Sequence, residues 1–323
     1  MGLISGFLNV YKEKGYTSHD VVALIKKILV DAGLGVSDGG KFKVGHTGTL
    51  DPAAEGVLPI CVGKATRLAD YAGDGLKRYR AVLKLGQTSD TQDDTGKILS
   101  ESTVTAAREE IVSAVSSFCG EIEQIPPMFS AVKVHGQRLY DIARRGGVVE
   151  RKPRTALIKR IEICEFHDDK TLTLDILCSR GTYIRTLCHD IGEKLGCGGV
   201  MGSLVRTVSG IFSIETAQRI DQVRDAADKG SLPALMIPIE KGLPFGSVAV
   251  CDAATPSMLA GHKIRLEMLS YCDNSPEQGR RVFVRGFDGK IGGLYEYIYD
   301  QPPSSGDERI LILKPLVMLA NRS

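Results

Sequence analysis

One stretch of sixteen residues restricts the fold of this chain more than any other. Residues 43–58 read Lys-Val-Gly-His-Thr-Gly-Thr-Leu-Asp-Pro-Ala-Ala-Glu-Gly-Val-Leu. Glycine permits backbone angles that other residues resist, and proline fixes its own, so neither a regular helix nor a regular strand is predicted. The apolar Leu50, Val57 and Leu58 are predicted to tie the segment to a core. We therefore expect a rigid loop that holds the polar side chain of Asp51 in a fixed place.

Two interpretations of Asp51 are open on spacing alone. The first is a helix N-cap, with Pro52 at the first helical position of a short turn that ends at Gly56. The second is a catalytic carboxylate. The rest of the chain has to decide between them.

Composition places the chain among globular proteins. It has 323 residues, of which 43% are hydrophobic and 25% charged, which suits one large domain with room for a small one. There is no apolar run of about 18 residues to predict a membrane span, and the N-terminus lacks the pattern of a signal peptide, so a cytoplasmic location is expected. Eight cysteines occur without a Cys-x-x-Cys pair, so we expect free thiols rather than a metal cluster or a disulfide framework.

Positive charge is concentrated in one segment. The net charge is only +2, yet residues 133–160 hold nine Lys or Arg against two acidic residues, a local charge of +7 that leaves −5 for the remainder. Such a segment is typical of a protein that contacts a nucleic-acid backbone, although a solvated loop gives the same pattern. The residues predicted to contact RNA are Lys133, Arg138, Arg144, Arg145, Arg151, Lys152 and Arg154.

Periodicity predicts the first strand and helix. Residues 4–10 are predicted as a strand, and Ser18 as the N-cap of a helix that ends near Gly33. The segment 35–41 comes close to a phosphate-binding P-loop, but Phe42 stands where Ser or Thr would hold magnesium. A flexible loop is therefore predicted there.

Two alternating segments predict strands. In residues 77–85, Tyr79 shares one face with three apolar side chains, so it is predicted to point inward at the start of a strand. Residues 171–178 alternate in the same way. The polar residues 87–96 are predicted as a loop, and Thr105 as the cap of a following helix.

A helical stripe that begins at Ile184 places Arg185 in the first turn of a helix. A cation there opposes the helix dipole, which predicts a compensating anion nearby. A solvated surface arginine is the open alternative.

Three separated motifs resemble the TruB family of pseudouridine synthases. They are Gly-His-Thr-Gly-Thr-Leu-Asp-Pro at 45–52, Lys-x-Tyr at 77–79 and Arg-Gly-Thr-Tyr-Ile-Arg-x-Leu at 180–187. The resemblance covers roughly residues 4–215. The Asp-Lys-Pro-x-Gly turn of the family is replaced here by Tyr-Lys-Glu-Lys-Gly at 11–15, without the proline.

The resemblance implies an activity. The chain would isomerise uridine 55 in the T-loop of tRNA to pseudouridine, by flipping the base out and rearranging its glycosidic bond, with no cofactor or metal. Asp51 would be the catalytic carboxylate, either as a nucleophile or as a stabiliser of oxocarbenium character. Attack at the sugar C1′ and a glycal route both stay open.

The resemblance also implies roles for other side chains. Arg185 would pair with Asp51 through a bidentate ion pair, which orients a carboxylate. Tyr79 would stack on the target base and is a candidate for the later proton transfer. His46 would help to hold the extruded conformation, and the further substrate-binding residues are Tyr183 and Leu204.

The architecture implied by the resemblance is α+β. Residues 1–240 would form a pseudouridine synthase fold with a mixed, largely antiparallel central sheet flanked by helices. An RNA-gripping insertion at about 130–155 would hinge at Gly146 and Gly147. Residues 238–244 read as a linker to a small PUA-like RNA-binding β domain at 245–323, in which Asp288-Gly289 predicts a type I′ hairpin turn.

Two alternatives compete with the stand-alone enzyme. An RNA chaperone would remodel tRNA without needing chemistry, and the same basic insertion would serve it. A guide-RNA-dependent relative is the second alternative, but the basic insertion and the lack of lysine-rich tails favour the stand-alone form. The expected partner is therefore the T-arm of tRNA, with no guide RNA and no membrane, and the expected state is a monomer.

Overall fold

The computed structural model describes residues 4–35, 42–130, 132–134, 136–272, 275–300 and 310–320. Within these ranges the chain forms two large sheets and seven α-helices. A helix long and apolar enough to cross a membrane does not occur among the described residues. Most of the flexible loop predicted at 35–41 lies outside them.

The elements follow one another along the chain as two series. The first series is β1 (Gly6–Lys12), α1 (Ser18–Asp31), β2 (Val44–His46), β3 (Glu55–Val62), α2 (Ala69–Ala72), β4 (Lys77–Leu85), β5 (Gln87–Ser89), β6 (Ile98–Glu101), α3 (Arg108–Ser116), β7 (Gly120–Gln124), β8 (Lys133–Val134), β9 (Gln137–Arg138), α4 (Leu139–Arg144), β10 (Arg154–Phe166), β11 (Thr171–Cys178), α5 (Ile184–Lys194), β12 (Gly199–Ser209), β13 (Phe212–Ser213) and α6 (Ile220–Asp228). The second is β14 (Gly246–Val250), α7 (Thr255–Leu259), β15 (Ile264–Arg265), β16 (Leu269–Cys272), β17 (Arg281–Arg285), β18 (Ile291–Tyr299) and β19 (Leu311–Met318).

The first sheet is mixed and largely antiparallel. Its order is β1-β3-β12-β4-β11-β10-β7, with β2 beside β3 and β13 beside β12. The pair β3 and β12 is parallel, whereas the other neighbours run antiparallel. Helices α3 and α5 pack against β4 and β11, and α1 and α6 pack against β1 and β3. The predicted α+β class is confirmed.

Strand β4 presents its apolar face to the core, as its alternation predicts. Tyr79 and every second residue after it are buried, whereas Arg80 on the opposite face is exposed. The register places Tyr79 opposite Ile176 of β11 on one side and opposite Arg206 of β12 on the other. The inward orientation of Tyr79 is thereby confirmed.

The start of α1 differs from the prediction by one residue. The N-cap is Thr17, whose hydroxyl accepts a hydrogen bond from the Asp20 N–H at 3.1 Å, while Asp20 accepts one from the Thr17 N–H at 2.9 Å. This reciprocal capping box leaves Ser18 as the first helical residue. The Ser18 hydroxyl bonds instead to the backbone of Leu50.

Two further local predictions are wrong. Helix α3 begins after Ala107 rather than after Thr105, because the Glu110 carboxylate reaches back to accept from the Ala107 N–H at 2.7 Å. That bond caps the helix without any side-chain oxygen at the N-cap position. The polar segment 87–96 is not all loop, since β5 pairs with β6 in a two-stranded ribbon.

The second sheet has the order β15-β19-β18-β17-β14-β16. The turn between β17 and β18 is not the predicted type I′ turn, which requires positive φ at both central residues. Only Gly289 has a positive φ, of 76°, and Asp288 does not. The Gly289 N–H donates to the Gly286 carbonyl at 2.9 Å, so the loop is one residue longer, with glycine at its left-handed position.

The two sheets share a hydrophobic cluster. Ile239 and Leu243 are buried in it, so the segment 238–244, predicted as a linker, is packed against both sheets rather than extended between them. Its other buried members are Phe7, Val57, Cys61, Ala65, Leu68, Ala72, Phe212, Phe283, Leu294 and Leu319.

Candidate active site

The loop that carries Asp51 is a turn anchored at several points. The Ala54 N–H donates to the Asp51 carbonyl at 3.0 Å, and β3 begins directly afterwards, so no helix follows and the N-cap interpretation is wrong. The Ser18 hydroxyl donates to the Leu50 carbonyl at 3.0 Å and accepts from the Leu50 N–H at 2.8 Å. The Gly15 N–H donates to the Pro52 carbonyl at 2.8 Å. These bonds hold the residues on both sides of Asp51.

Arg185 is buried and paired with Asp51. Its side chain is only 6% exposed, and Nε lies 2.9 Å from Asp51 Oδ2. Nη1 donates to the Thr91 carbonyl at 3.0 Å and lies 3.8 Å from an Asp93 carboxylate oxygen, while Nη2 donates to the Phe129 carbonyl at 2.8 Å. The anion predicted from the helix dipole is therefore present, and the solvated-arginine alternative is wrong. The expected bidentate geometry is also wrong, because the Nη atoms are engaged elsewhere.

Tyr79 and Leu204 lie on the neighbouring strands β4 and β12, with Leu204 opposite Ala81, two residues after Tyr79. Both side chains are buried. Burial raises the pKa of the Tyr79 phenol, and the neighbouring Arg206 guanidinium opposes that rise. Tyr79 is therefore a neutral phenol at physiological pH, suited to stacking and to donating a hydrogen bond.

Tyr183 is held in place at the start of α5. The side-chain amide of Gln124 clamps its backbone, accepting from the Tyr183 N–H at 2.9 Å and donating to the Tyr183 carbonyl at 3.1 Å. Burial raises the pKa of the Tyr183 phenol. Burial lowers the pKa of His46, the last residue of β2, and the Arg206 guanidinium lowers it further. The imidazole is therefore neutral near pH 7.

Two cavities meet at the ion pair of Asp51 and Arg185. The first, of about 510 Å³, contains Tyr79, Tyr183 and Leu204. The second, of about 750 Å³, contains His46. The ion pair lines both cavities. A ligand that extends from one cavity into the other would therefore contact Asp51.

Three buried cations around the site were not predicted. Arg206 donates to the carbonyl of Val57 at 2.7 Å and to the carbonyls of Thr49 and Gly48 at 3.3 and 3.2 Å. Lys12 donates to carbonyls of the neighbouring turn and of Pro52, and Lys77 lines the first cavity. Arg206 stands two residues after Leu204, on the same face of a strand, which is the signal that could have identified it.

The basic insertion is folded over the second cavity. Its exposed members include Arg144, whose guanidinium stacks on the Tyr140 ring at 5.1 Å, and Arg145 and Lys152. Arg151 donates to the Pro126 carbonyl at 3.1 Å and is partly buried. Arg154 is exposed and also lines the first cavity. The side chains of Lys133 and Arg138 lie outside the described part.

Two family models match adjoining parts of the chain. The model of the TruB family pseudouridylate synthase N-terminal domain matches residues 37–184, and that of the tRNA pseudouridylate synthase B C-terminal domain matches residues 185–244. The fold and these matches define a pseudouridylate synthase. The chain belongs to the TruB family.

Similar proteins agree with that assignment. A protein of Alkaliphilus oremlandii named tRNA pseudouridine synthase B is 46% identical over 262 residues, which is 81% of this chain and 83% of that protein. Proteins of the same name from Clostridium acetobutylicum and Clostridium kluyveri are 50% and 42% identical, over 65% and 88% of this chain and over 69% and 93% of theirs. The enzyme class predicted from the motifs is confirmed.

Solved structures share the fold over nearly the whole chain. The structure described as a Cbf5-Nop10-Gar1 complex has a TM-score of 0.72 and 27% identity, and the match covers 98% of this chain and 85% of that one. A structure described as an H/ACA RNP bound to a substrate RNA containing 2′-deoxyuridine has a TM-score of 0.71, with coverage of 98% and 86%. At 24% identity the second likeness concerns the fold alone.

Proposed function

We propose that this chain isomerises uridine 55 in the T-loop of tRNA to pseudouridine. The observation that carries the proposal is the anchored carboxylate of Asp51, paired with Arg185 at the junction of two cavities, beside Tyr79. The relatives named tRNA pseudouridine synthase B support the same substrate.

The positions of these groups support the following reaction. A uridine flipped out of the RNA enters the first cavity, where its base stacks on the ring of Tyr79 and meets the backbone of Leu204. The sugar then lies towards the junction, within reach of the Asp51 carboxylate. Cleavage of the N1–C1′ bond frees the base to turn, and C5 then bonds to C1′. One proton leaves C5 and one reaches N1, so the product is an isomer of the substrate.

Asp51 acts on the sugar, and Arg185 acts on Asp51. The carboxylate either attacks C1′ or stabilises its positive charge. The ion pair places Arg185 Nε 2.9 Å from Oδ2, which leaves the other oxygen for the sugar. In the second cavity, the neutral imidazole of His46 holds the strand from which the base was extruded.

We propose the following division of the chain and its setting. Residues 1–240 form the catalytic domain, with the insertion at about 130–155 closing on the T-arm of tRNA. Residues 245–323 form a PUA-like RNA-binding domain. The protein acts in the cytoplasm as a monomer and without a guide RNA.

The test is to incubate purified protein with an unmodified tRNA transcript and to map pseudouridine at every position. We expect one pseudouridine, in the T-loop. Asp51→Asn keeps the shape of the side chain but removes the nucleophilic charge, so its single-turnover rate should fall by at least about four decades, roughly 5–6 kcal/mol of barrier.

The affinity of the Asp51→Asn protein for tRNA should stay near that of the wild type. A tRNA-folding chaperone is the second candidate, since the basic insertion serves either role. It would refold tRNA equally well with Asn at position 51 and would leave no pseudouridine. Measurable turnover by Asp51→Asn would contradict the assigned role of the carboxylate.

A further inference from the structure

Two buried cations, Lys77 and Arg206, lie at the floor of the first cavity. Lys77 precedes Tyr79 by two residues, so both side chains project from the same face of β4. Arg206 stands directly opposite Tyr79 on β12. Lys77 is 7% exposed and Arg206 1% exposed, and both line the cavity. We call these two residues the cationic floor.

Among the described residues, neither cation of the floor has a carboxylate as an ion-pair partner. Arg206 donates to the backbone carbonyls of Val57, Thr49 and Gly48, and Lys77 donates to the Gly73 carbonyl at 3.2 Å. Within the described part of the chain, no carboxylate oxygen lies within 4.0 Å of either cation. Burying a cation without an anion is costly, so the arrangement is suited to a negative charge that arrives with the substrate.

The positive charge of the cationic floor shifts the pKa values of neighbouring groups. Burial and the neighbouring Arg206 lower the pKa of Lys77 to about 8. The same guanidinium acts to lower the pKa values of Tyr79 and His46. The hydroxyl oxygen of Thr47, on the wall of the same cavity, is buried and has no hydrogen-bond partner among the described residues. The cavity therefore offers positive charge and one unused hydroxyl.

The proposed reaction creates a negative charge at this place. When the N1–C1′ bond breaks, its electron pair stays with N1, so the base departs as a uracil anion whose charge spreads to O2 and O4. The uracil anion forms on either route: Asp51 bonds to C1′, or the sugar loses a proton from C2′ to give a glycal. We propose that Lys77 and Arg206 stabilise the detached uracil anion, an inference that rests on the proposed isomerisation.

A base fits this position better than a phosphate does. The ring of Tyr79 borders the floor, and a base stacked on that ring brings its oxygens towards Lys77 and Arg206. A backbone phosphate is strongly hydrated and is better matched by the exposed Arg154, which also lines this cavity. Preorganised charges that face a developing anion are worth the most when buried, as these are.

The test compares two leaving bases. In Lys77→Met, we expect the single-turnover rate on tRNA with uridine at the target position to fall by about 10²-fold. With 5-fluorouridine there, the electron-withdrawing fluorine makes the departing anion more stable by itself. The rate of Lys77→Met should then be less than about tenfold below that of the wild type. The rate is measured from the loss of the original nucleoside after digestion of the tRNA. Arg206→Gln should show the same pattern.

Three controls interpret the result. Arg80→Met removes a cation from the exposed face of the same strand and should react at the wild-type rate with both bases. Asp51→Asn should show the same large defect with both bases, since it acts on the sugar. Wild-type protein that makes no pseudouridine in any tRNA would overturn the proposed function itself, and that outcome is distinct from a defect confined to Lys77→Met.

The pH profile gives a second measurement that does not depend on a destabilised variant. The pKa of Lys77 is lowered to about 8, so the floor is fully charged well below that pH and loses one charge as the pH rises through it. The groups that face Lys77 are Arg206, Cys178, Arg180 and Asp74, and burial raises the pKa of the Cys178 thiol to about 11. The wild-type rate should therefore fall above pH 8 to the level of Lys77→Met.

Lys77→Arg keeps its charge over the same range, because a guanidinium has a pKa above about 12, so its rate should stay level up to about pH 9. Three results would overturn the proposal. One is an equal loss of rate in Lys77→Met with uridine and with 5-fluorouridine. Another is the same pH profile of the rate for Lys77→Arg and the wild type. The third is a weaker, less salt-dependent tRNA affinity in Lys77→Met with an unchanged rate constant, which would assign the floor to a phosphate.

Discussion

At the scale of single residues, Arg185 joins three segments that are far apart in the chain. Its nitrogens contact the carboxylate of Asp51, the carbonyl of Thr91 and the carbonyl of Phe129 at the base of the insertion. A guanidinium is planar and rigid. The orientation of the carboxylate therefore depends on all three contacts.

Arg185→Lys should be far from conservative. A lysine keeps the charge but is a compact donor that can reach one of the three partners, which leaves buried carbonyls unpaired at about 1–3 kcal/mol each. We expect the single-turnover rate at saturating enzyme to fall about 10²-fold, with little change in tRNA affinity. Arg224→Lys, an exposed helix position, should stay within about 0.5 kcal/mol. A wild-type rate in Arg185→Lys would mean that the ion pair does not position Asp51.

The sequence predicted the partners of the ion pair but not its geometry. Motif and helix dipole both pointed to an anion at Arg185, yet which nitrogen meets the carboxylate depends on carbonyls of two distant loops. Lys77 and Arg206 were missed for a related reason. A charged residue on a strand is normally predicted to face solvent, although the alternation places Lys77 on the buried face with Tyr79 and Arg206 on the buried face with Leu204.

At the scale of elements, tertiary contacts determine a helix boundary where the local sequence permits two neighbouring positions. Thr and Ser are both good N-cap residues, but the Ser18 hydroxyl bonds to the backbone of Leu50, and Thr17 caps the helix. Longer periodic elements, such as β4, β11 and α5, were predictable because burial of one face imposes the pattern directly. Short elements such as β5 and β6 bury little and carry no such pattern.

The basic insertion combines exposed charges with one structural arginine. Arg144, Arg145 and Lys152 are exposed, whereas Arg151 bonds to the Pro126 carbonyl. Changing the three exposed residues to Gln should weaken tRNA binding. It should also reduce the slope of log affinity against log salt by roughly 0.7–0.9 for each phosphate that the protein no longer neutralises. Affinities measured from low to moderate salt test this.

A matched control removes the same charge elsewhere. Lys27, Arg224 and Lys229 are exposed on or next to α1 and α6, and their combined change to Gln should leave the slope unaltered. Equal slopes in the two triple variants would mean that the insertion does not contact the RNA backbone.

At the scale of the whole molecule, the shared cluster makes the two sheets one packed body. Aromatic rings run from Tyr71 through Phe245 to Phe283, with centroid distances of 6.5 and 6.1 Å. The Arg67 guanidinium also donates to the Met318 carbonyl at 2.8 Å. The sequence suggested a linker between two domains because residues 238–244 begin and end with Pro and contain Gly242, and composition does not reveal that the segment packs.

Phe283→Ala should therefore destabilise both sheets together. The side chain is completely buried in the shared cluster, and its removal should cost about 3–5 kcal/mol. Calorimetry should show a single transition at a lower midpoint, and amide exchange should accelerate in β1 and β3 as well as in β17 and β18. Val284→Ala leaves the shared cluster intact, because Val284 packs in the separate core of the second sheet. If the two sheets unfolded independently, Phe283→Ala would split the transition in two and leave the exchange of β1 and β3 unchanged.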